Sequence, residues 1–414
     1  MRLTPDNDLT ARAFARLDAR LTRDTERPVA LALSGGGDSI ALLRLATDWA
    51  QSRGRRVLAL TVDHRLNAES GGWTAFAGEA AQAAGADWRA LSWDGDKPKT
   101  GLTAAARAAR HGLIADAARE AGARVVLFAH TADDIAEADL MRAQGSTLGR
   151  VREWSPSPAW PQGRGLMLLR PLLGERRGVL RDWLVQHGAD WIEDPANADP
   201  RFGRSRARQA LAGRAPDVSD DGRVEAGRGL AMDGETMVRA DRDIGARALA
   251  AALVCVGGGG TPPRGARLQA LTTRLKAGEE FAATLCGARV EAAGDGVRVM
   301  REAGELGRRG TAPLVLAPGV EAVWDGRFAF RAEQAGWSVE AARGRLASLS
   351  EADRAWINRL PTATRGAWPV LIRDAGLAPV LAGEGVERRA LVAERLRLAL
   401  DETTHEDDLI SATR

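Results

Sequence analysis

Residues 34–39, with the sequence S-G-G-G-D-S, have the residue types and spacing best suited to chemistry in this chain. They follow an apolar run and precede a segment with the apolar periodicity of a helix. Glycine lets the backbone approach a ligand closely, and the free N–H groups of a helix start favour an anion. The pattern therefore predicts a strand, a tight turn and a helix start that bind phosphate. The members of this loop are Ser34, Gly35, Gly36, Gly37, Asp38 and Ser39.

Two common nucleotide-binding patterns do not fit this loop. A Walker A loop requires G-x-x-x-x-G-K-[ST], and the dinucleotide pattern requires G-x-G-x-x-G. The sequence S-G-G-x-D-S instead resembles the PP-loop of the N-type ATP pyrophosphatases. That resemblance implies cleavage of ATP between its α and β phosphates, adenylation of a carbonyl oxygen and displacement of AMP by a nucleophile. Taken alone, the loop also fits an ordinary glycine turn between a strand and a helix.

A second group of polar residues occupies the stretch F-A-H-T-A-D-D-I-A-E, residues 128–137. On a helix that begins near residue 132, Asp133 and Glu137 share one face, Asp134 lies one step round, and His130 precedes the helix. Mg²⁺ is usually held by one or two carboxylates together with substrate phosphates. The group therefore suits either Mg²⁺ or an ammonium substrate, and a capped, solvated helix start is the alternative.

Arginines form two further groups. Arg107 and Arg110 are three residues apart in A-A-A-R-A-A-R-H and share one face of a predicted helix. The stretch at residues 191–208 ends in four arginines, and such a cluster favours contact with phosphate or nucleic acid. A solvated helix face is the alternative for the first pair. The four arginines are Arg201, Arg204, Arg206 and Arg208.

Alternating strands and helices over the first half of the chain predict the scaffold that positions these residues. The pattern indicates an α/β fold with a parallel sheet covered by helices on both faces. Ligands of such sheets bind beyond the carboxyl ends of the strands. The loop at residues 34–39, Asp63, His64 and His130 all follow predicted strands, so we expect them on one rim. Besides the strand before residue 34, the predicted strands cover residues 57–62, 88–93 and 125–129.

The second half of the chain is predicted to have a different fold from the first half. We predict a catalytic domain at residues 1–210, a linker at 211–239, and a smaller α+β region at 240–414 that binds tRNA or is structural. Residues 240–254 and 264–277 are expected to be helical, and residues 281–301 to form two strands. A hairpin is expected around Asp325-Gly326, a favoured two-residue turn. The tail from residue 384 is charged, and we expect it to be partly helical.

Composition excludes several classes of protein. The chain has 414 residues, and none of its apolar runs approaches the roughly 18 residues of a membrane span. Its N-terminus has no signal-peptide core. The two cysteines, Cys255 and Cys286, lie far apart and have no metal-like spacing. We therefore expect a reduced, cytoplasmic protein without a membrane partner. The sequence leaves open whether the chain forms a homodimer.

Five motifs occur in one order, and together they resemble the tRNA(Ile)-lysidine synthase family. That family carries S-G-G-x-D-S, a helix with A-R-x-x-R-Y, and G-H-H-x-D-D-Q-x-E. R-P-L-L-x-x-x-R follows, and then W-x-x-D-P-[ST]-N-x-D-x-x-[FY]-x-R-N-x-x-R. The corresponding segments of this chain are residues 34–39, 106–111, 129–137, 170–177 and 191–208.

The resemblance implies a reaction and a set of partners. ATP would adenylate O2 of the wobble cytidine (C34) in the isoleucine tRNA with a CAU anticodon. The ε-amine of free L-lysine would then displace AMP at C2 to give lysidine. ATP would serve as co-substrate, with Mg²⁺ as the metal.

The resemblance also implies residue roles. The loop at residues 34–39 would cradle phosphates, and Asp38 and Asp134 would ligate Mg²⁺. His130, Asp133 and Glu137 would orient the lysine or the cytosine, and a carboxylate or the histidine would accept the proton of the amine. The residues expected to meet phosphate or tRNA are Arg107, Arg110, Arg204 and Arg208.

Four positions depart from the family pattern. Thr131 replaces the second histidine of G-H-H, Ile135 replaces the glutamine, His111 the tyrosine and Ser205 the asparagine. Because the first histidine, both aspartates and the glutamate are present, we expect the activity to be retained.

Other functions compete with this interpretation. PP-loop enzymes that thiolate tRNA use cysteines, and this chain has none before Cys255. An amidotransferase like GMP synthetase would require motifs that are missing here. A nucleotide-binding regulatory module without catalysis is the remaining alternative, and the retained set at residues 130–137 argues against it.

Overall fold

We describe the protein from a computed structural model. The structure describes residues 5–144, 151–194, 203–211, 229–308, 312–373 and 377–411. The chain divides into two compact units. Unit 1 comprises Met1–Arg223 together with Thr403–Arg414, and unit 2 comprises Val224–Glu402.

Unit 1 is built on a six-stranded sheet with the strand order β3-β2-β1-β4-β6-β5. All neighbouring pairs are parallel except β5 with β6, which is antiparallel. The mostly parallel α/β fold predicted from the sequence is confirmed. The strands are β1 (Val29–Ala32), β2 (Val57–Asp63), β3 (Asp87–Ser92), β4 (Val125–Leu127), β5 (Trp154–Pro156) and β6 (Met167–Leu169).

Helices connect these strands and cover the sheet. Successive strand residues point to opposite faces, and one set, which includes Leu58, Leu60 and Val126, packs against Ile114 in a shared core. The alternate residues of the same strands are also buried, so both faces of the sheet are covered. The helices of unit 1 are α1 (Pro5–Asp18), α2 (Gly37–Ser52), α3 (Ser70–Ala83), α4 (Leu102–Glu120), α5 (Ala132–Ala143), α6 (Arg177–Gln186), α7 (Gly203–Ala210) and, near the C-terminus, α14 (Glu406–Ser411).

The strand order reverses direction at β1, which pairs with β2 on one side and with β4 on the other. Such a switch point opens a crevice at the carboxyl ends of the two strands, where ligands bind in sheets of this kind. Residues 34–39 follow β1, and His130 follows β4. The fold therefore brings the two main sequence motifs to the same crevice.

The C-terminal segment completes unit 1. Glu406 of α14 forms an ion pair with Arg55 at 3.0 Å, and both side chains are fully buried. The Trp154 Nε1–H donates to the carbonyl of Thr403 at 2.9 Å. Among the described residues, no helix is long and apolar enough to cross a membrane.

In its described residues, unit 2 contains three antiparallel sheets and two apolar cores. Its sheets have the orders β7-β8-β11-β10-β9, β12-β15-β16 and β13-β14-β17. The strands are β7 (Leu230–Asp233), β8 (Met237–Asp241), β9 (Phe281–Leu285), β10 (Ala288–Ala293), β11 (Gly296–Arg301), β12 (Leu314–Val315), β13 (Ala322–Trp324), β14 (Phe328–Ala332), β15 (Trp337–Ala341), β16 (Pro369–Arg373) and β17 (Val386–Ala390). The helices are α8 (Ala246–Gly257), α9 (Gly265–Lys276), α10 (Ala303–Arg308), α11 (Glu351–Ile357), α12 (Thr362–Arg365) and α13 (Val392–Ala399).

Two expectations for the second half require correction. Residues 281–301 form three strands instead of two, because Cys286 and Gly287 adopt positive φ angles and turn the chain between β9 and β10. The helix expected from residue 240 begins at Ala246, since β8 continues to Asp241 in register with β11. The expectation that the tail is partly helical is confirmed by α13, and the tail also contains β17, which pairs with β14.

The stretch predicted as a linker contains more structure than its composition indicated. Residues 230–233 form β7, and β7 pairs with β8. Leu230 and Met232 pack against the apolar core beside the sheet β7-β8-β11-β10-β9, which explains why a strand forms at this end of the stretch. Residues 212–228 lie outside the described part of the chain. The hairpin expected around Asp325-Gly326 is confirmed, with β13 and β14 on either side.

Candidate active site

The glycine loop after β1 is held in shape by its two serines. Ser39 Oγ donates to the carbonyl of Gly36 at 2.8 Å and accepts from the Ser34 backbone N–H at 3.3 Å. Gly35 has a φ of 82°, which favours glycine. Gly36 caps α2 without a side chain, so no side-chain cap competes for the first N–H groups of that helix. The loop therefore presents backbone donors suited to an anion.

The segment after α6 lies against this loop. The Ile192 backbone N–H donates to the Gly35 carbonyl at 2.9 Å, and Gly36 and Ile192 form a parallel bridge. A Cβ atom on Gly35 would lie 2.7 Å from Ile192 Cδ1, and one on Gly37 would lie 3.4 Å from Trp191 Cδ1. Gly35 is thus required both by the turn and by the close approach of Ile192, while a Cβ atom on Gly37 would make an ordinary contact with Trp191.

Arg177, the first residue of α6, lies at the centre of the predicted site. Its Nε–H donates to Asp38 Oδ2 at 3.1 Å, and its Nη1–H donates to Glu137 Oε1 at 3.2 Å. Its Nη2 is 3.6 Å from Asp134 Oδ1. One guanidinium therefore holds three of the four carboxylates that sequence reasoning had selected.

Burial and the neighbouring charges shift the pKa values of Asp38 and Arg177. Burial raises the pKa of Asp38 above its ordinary value, against the opposing effect of Arg177. Burial also acts to lower the pKa of Arg177, but Asp134, Asp38 and Glu137 outweigh burial, and the pKa is raised. Arg177 is therefore a permanent cation in this cluster.

The two aspartates at the start of α5 have different partners. Asp134 Oδ2 accepts from the Thr131 N–H at 2.8 Å and from Thr131 Oγ1 at 3.0 Å, as in a capping box. Asp133 Oδ2 instead accepts from the Arg177 backbone N–H at 2.8 Å and pairs with Arg176. Asp133 thus anchors the start of α6, while Asp134 Oδ1 faces Arg177.

Glu137 combines deep burial with an unused oxygen. Its side chain is 2% exposed, and Oε1 accepts from Arg177 and from Arg208 Nε, the latter at 2.9 Å. Oε2 is buried and has no hydrogen-bond partner among the described residues. Because buried carboxylate oxygens are rarely left unpaired, this oxygen is suited to a donor supplied by a ligand.

His130 is buried and accepts a hydrogen bond. Arg170 Nε–H donates to His130 Nδ1 at 3.1 Å, so the ring is neutral with its proton on Nε2. Burial first, and then Arg170 and other arginines, hold the pKa of His130 well below its ordinary value. The ring stacks on Phe128, which in turn stacks on His111. His130 is therefore a hydrogen-bond donor at neutral pH and is poorly suited to accept a proton.

The arginines of α4 and α7 add positive charge beside the carboxylates. Burial, Arg107 and Arg204 lower the pKa of Arg110 to about 10, and Arg110 Nε has no partner among the described residues. Arg204 Nη1 lies 3.8 Å from Asp134 Oδ1. Arg206 is exposed, and Arg201 lies outside the described residues. Four of the predicted phosphate contacts are thus close enough to the site for their charges to act on it.

The carboxylates fit a divalent cation only in part. In the described ranges, no group of three or more His, Cys, Asp or Glu side chains converges as a metal site. Asp38 and Asp134 nevertheless face the same guanidinium, so their oxygens converge on one region beside the glycine loop. Two hard oxygen ligands suit Mg²⁺ when substrate phosphates complete its coordination.

Sequence reasoning did not assign roles to several residues that organise the site. Arg170 and Arg177 begin and end the R-P-L-L-x-x-x-R motif, and their place in a shared motif was the only available signal. Trp191 and Ile192 begin the next motif and contact the glycine loop. Their contacts depend on tertiary structure, which the spacing of residues along the chain does not reveal.

Comparisons with known proteins find relatives that match most of the chain. Residues 9–215 match the family described as the PP-loop domain. A tRNA(Ile)-lysidine synthase from Caulobacter vibrioides is 46% identical over 399 residues, covering 93% of this chain and 96% of that protein. The synthase from Hyphomonas neptunium is 36% identical, covering 70% and 86%, and the one from Mesorhizobium japonicum is 35% identical, covering 78% and 76%. The solved structure of the U34-tRNA thiolase NcsA from Methanococcus maripaludis aligns with a TM-score of 0.41 at 15% identity, covering 50% and 73%.

Proposed function

The chain belongs to the tRNA(Ile)-lysidine synthase family, and from this premise we propose how its own residues carry out the reaction. The protein is a ligase that uses ATP to form lysidine on tRNA(Ile). The observation that carries the proposed roles is the convergence of Asp38, Asp134 and Glu137 on one guanidinium beside the glycine loop.

The first step uses the glycine loop. The backbone donors at residues 34–39 bind the phosphates of ATP, and O2 of the wobble cytidine attacks the α-phosphorus. The bond to the β-phosphate oxygen breaks, and pyrophosphate leaves. Asp38 and Asp134 would hold Mg²⁺, which when bound neutralises phosphate charge. The convergence of these two carboxylates supports this assignment.

The second step uses Glu137. Its unpaired Oε2 accepts a hydrogen bond from an ammonium or amine of free L-lysine, in a partly desolvated site where such a bond is strong. The ε-amine must be neutral when it attacks C2 and displaces AMP. A carboxylate is the better acceptor for the released proton, because Arg170 occupies the lone pair of His130 Nδ1. His130 donates through Nε2 and orients the cytosine or the lysine.

The remaining assignments concern the tRNA and the environment. Arg107, Arg110, Arg204 and Arg208 contact phosphates of the tRNA with the CAU anticodon, and their common location near the site supports this role. Unit 1, which carries the glycine loop, is the catalytic domain, and unit 2 binds tRNA or is structural. The enzyme acts in the cytoplasm.

Incubation with labelled lysine, ATP and bulk bacterial tRNA tests the proposal. We expect label to enter a single isoleucine tRNA and to require ATP. Failure to incorporate lysine, together with absence of tRNA-dependent exchange between ATP and pyrophosphate, would instead indicate a nucleotide-binding module without catalysis. Exchange without lysine incorporation would indicate adenylation of tRNA followed by a different nucleophile.

A further inference from the structure

The carboxylates of the site are already matched by positive charges. Asp38 and Asp134 each lie within ion-pair distance of Arg177, and so does Glu137. Two further arginines complete the match: Arg204 pairs with Asp134, and Arg208 pairs with Glu137. Three negative charges therefore face three positive charges before any reactant arrives.

The position of Arg177 conflicts with the cations that the reaction requires. A divalent cation bound to Asp38 and Asp134 would stand where the guanidinium now contacts both residues. Like charges in a partly desolvated site repel strongly, because the effective dielectric constant there is low. Both cations therefore cannot keep the same carboxylate oxygens.

We propose that Arg177 is a resident counter-ion that occupies the cation position of the free enzyme and releases Asp38 and Asp134 when a divalent cation binds. The released guanidinium then pairs with the phosphates that arrive with that cation, for which its planar donors are well suited. This inference rests on the proposed function, in that it takes Asp38 and Asp134 as the metal ligands.

The local structure allows the side chain to move while its backbone stays fixed. The Arg177 backbone N–H donates to Asp133 Oδ2 at 2.8 Å, which anchors the start of α6 independently of the guanidinium. Glu137 Oε1 also accepts from Arg208, so Glu137 keeps a partner when Arg177 moves. Release of Asp38 therefore needs a side-chain rotation and leaves the helix in place.

Binding of Mn²⁺ alone, measured by electron paramagnetic resonance without ATP, tests the proposal. In Arg177→Gln the competing charge is gone, and we expect Mn²⁺ to bind about tenfold more tightly than in the wild-type protein. Arg142→Gln is the matched control, because Arg142 is exposed and forms an ion pair with Asp139 on α5. Equal affinity in Arg177→Gln and the wild-type protein, or an equal gain in both variants, would overturn the proposal.

A double variant tests whether the tighter Mn²⁺ binding of Arg177→Gln depends on Asp38. Adding Asp38→Asn to Arg177→Gln should remove the tighter binding, because the carboxylate that is released in the single variant is absent. Persistence of the gain would place the Mn²⁺ elsewhere and contradict the proposal. Labelled-lysine incorporation by the wild-type protein is a separate readout, so failure of this inference and failure of the proposed function are distinguishable.

Two measurements cover the case in which Arg177→Gln folds poorly. Arg177→Lys keeps one positive charge with fewer donors, and we expect it to bind Mn²⁺ more tightly than the wild-type protein. Mn²⁺ should also raise the thermal unfolding midpoint of Arg177→Lys more than that of the wild-type protein. A purely structural Arg177 predicts a lower midpoint in both variants with no gain from Mn²⁺.

Discussion

Unit 1 and unit 2 each contain a cluster in which one charged side chain is shared by several partners of opposite charge, and the two clusters have opposite proportions. In unit 2, Asp325 is shared by Arg301 and Arg327. In unit 1, Arg177 is shared by three carboxylates. The hydrogen bonding of the two clusters indicates different purposes.

The unit 2 cluster is closed, in the sense that both oxygens of its shared carboxylate have hydrogen-bond partners within the protein. Asp325 Oδ1 accepts from Arg301 at 2.8 Å, and Oδ2 accepts from Arg301 at 2.9 Å and from Arg327 at 2.7 Å. The arginines also donate to the carbonyls of Gly287 and Ala367. Burial acts to raise the pKa of Asp325, but the two arginines outweigh it and the pKa is lowered. With both carboxylate oxygens paired, the cluster around Asp325 is structural.

The unit 1 cluster is open, in the sense that some of its buried polar atoms have no hydrogen-bond partner among the described residues. Glu137 Oε2 and Arg110 Nε are buried and have no partner among the described residues, and Arg204 and Arg208 are more than one-third exposed. Unpaired buried polar atoms are costly unless a ligand satisfies them. The difference between the clusters teaches that completeness of hydrogen bonding, more than the presence of charge, separates a structural cluster from a binding site.

The largest effect is expected from breaking the closed cluster. Asp325→Asn leaves two buried arginines without a counter-charge, and we expect a loss of about 3–5 kcal/mol in the free energy of unfolding. Urea unfolding checks this, with Asp295→Asn in the exposed turn before β11 as the control. The folded-state pKa of Asp325 lies below the ordinary 3.8. The stabilisation by Asp325 is therefore complete above pH 3.8 and is lost as the pH falls through the lower, folded-state pKa. Unchanged unfolding would make the cluster dispensable.

Substitutions in the open cluster should lower the rate of lysidine formation and leave the fold intact. Asp38→Ala removes a carboxylate beside the glycine loop, and we expect lysidine formation to fall by roughly 10²–10³ while the fold is retained. Product formation and circular dichroism measure the two properties. Asp48→Ala, at an exposed position of the same helix, serves as the control. Near-normal turnover in Asp38→Ala would remove Asp38 from the reaction.

A smaller effect is expected at the rim of the open cluster. Replacing Arg204 and Arg208 with Ala should raise the KM for tRNA, leave the KM for ATP unchanged, and reduce the salt slope of tRNA binding by about two. Filter binding at several salt concentrations measures the slope.

The matched control for this pair replaces Arg56 and Arg89, which form exposed ion pairs with Asp87 and Glu120. If the affinity and salt slope of Arg204→Ala/Arg208→Ala match those of the wild-type protein, these arginines are structural. In that event only Glu137 and Asp38 would support the interpretation of the unit 1 cluster as a binding site.

The sequence predicts the parallel sheet and the rim because buried strands and their following motifs are local patterns. It does not predict that Arg177 joins three carboxylates, because those contacts connect segments about 40 to 140 residues apart. Likewise, the turn at Cys286-Gly287 lacks the usual asparagine or aspartate before glycine, so β9 and β10 read as one strand. Local signals predicted the elements, while the partners of each charged group followed from tertiary structure.

The role of Glu137 is tested most directly by the dependence of lysidine formation on lysine and on ATP in Glu137→Gln. The substitution keeps size and hydrogen bonding but removes the charge that faces the lysine. We expect the KM for lysine to rise about tenfold or more, the KM for ATP to stay near the wild-type value, and saturating lysine to restore most of the product. Asp139→Asn, on the same helix and paired with Arg142, controls for charge. A rise confined to ATP would assign Glu137 to the metal site, and no change in either KM would contradict its role in binding.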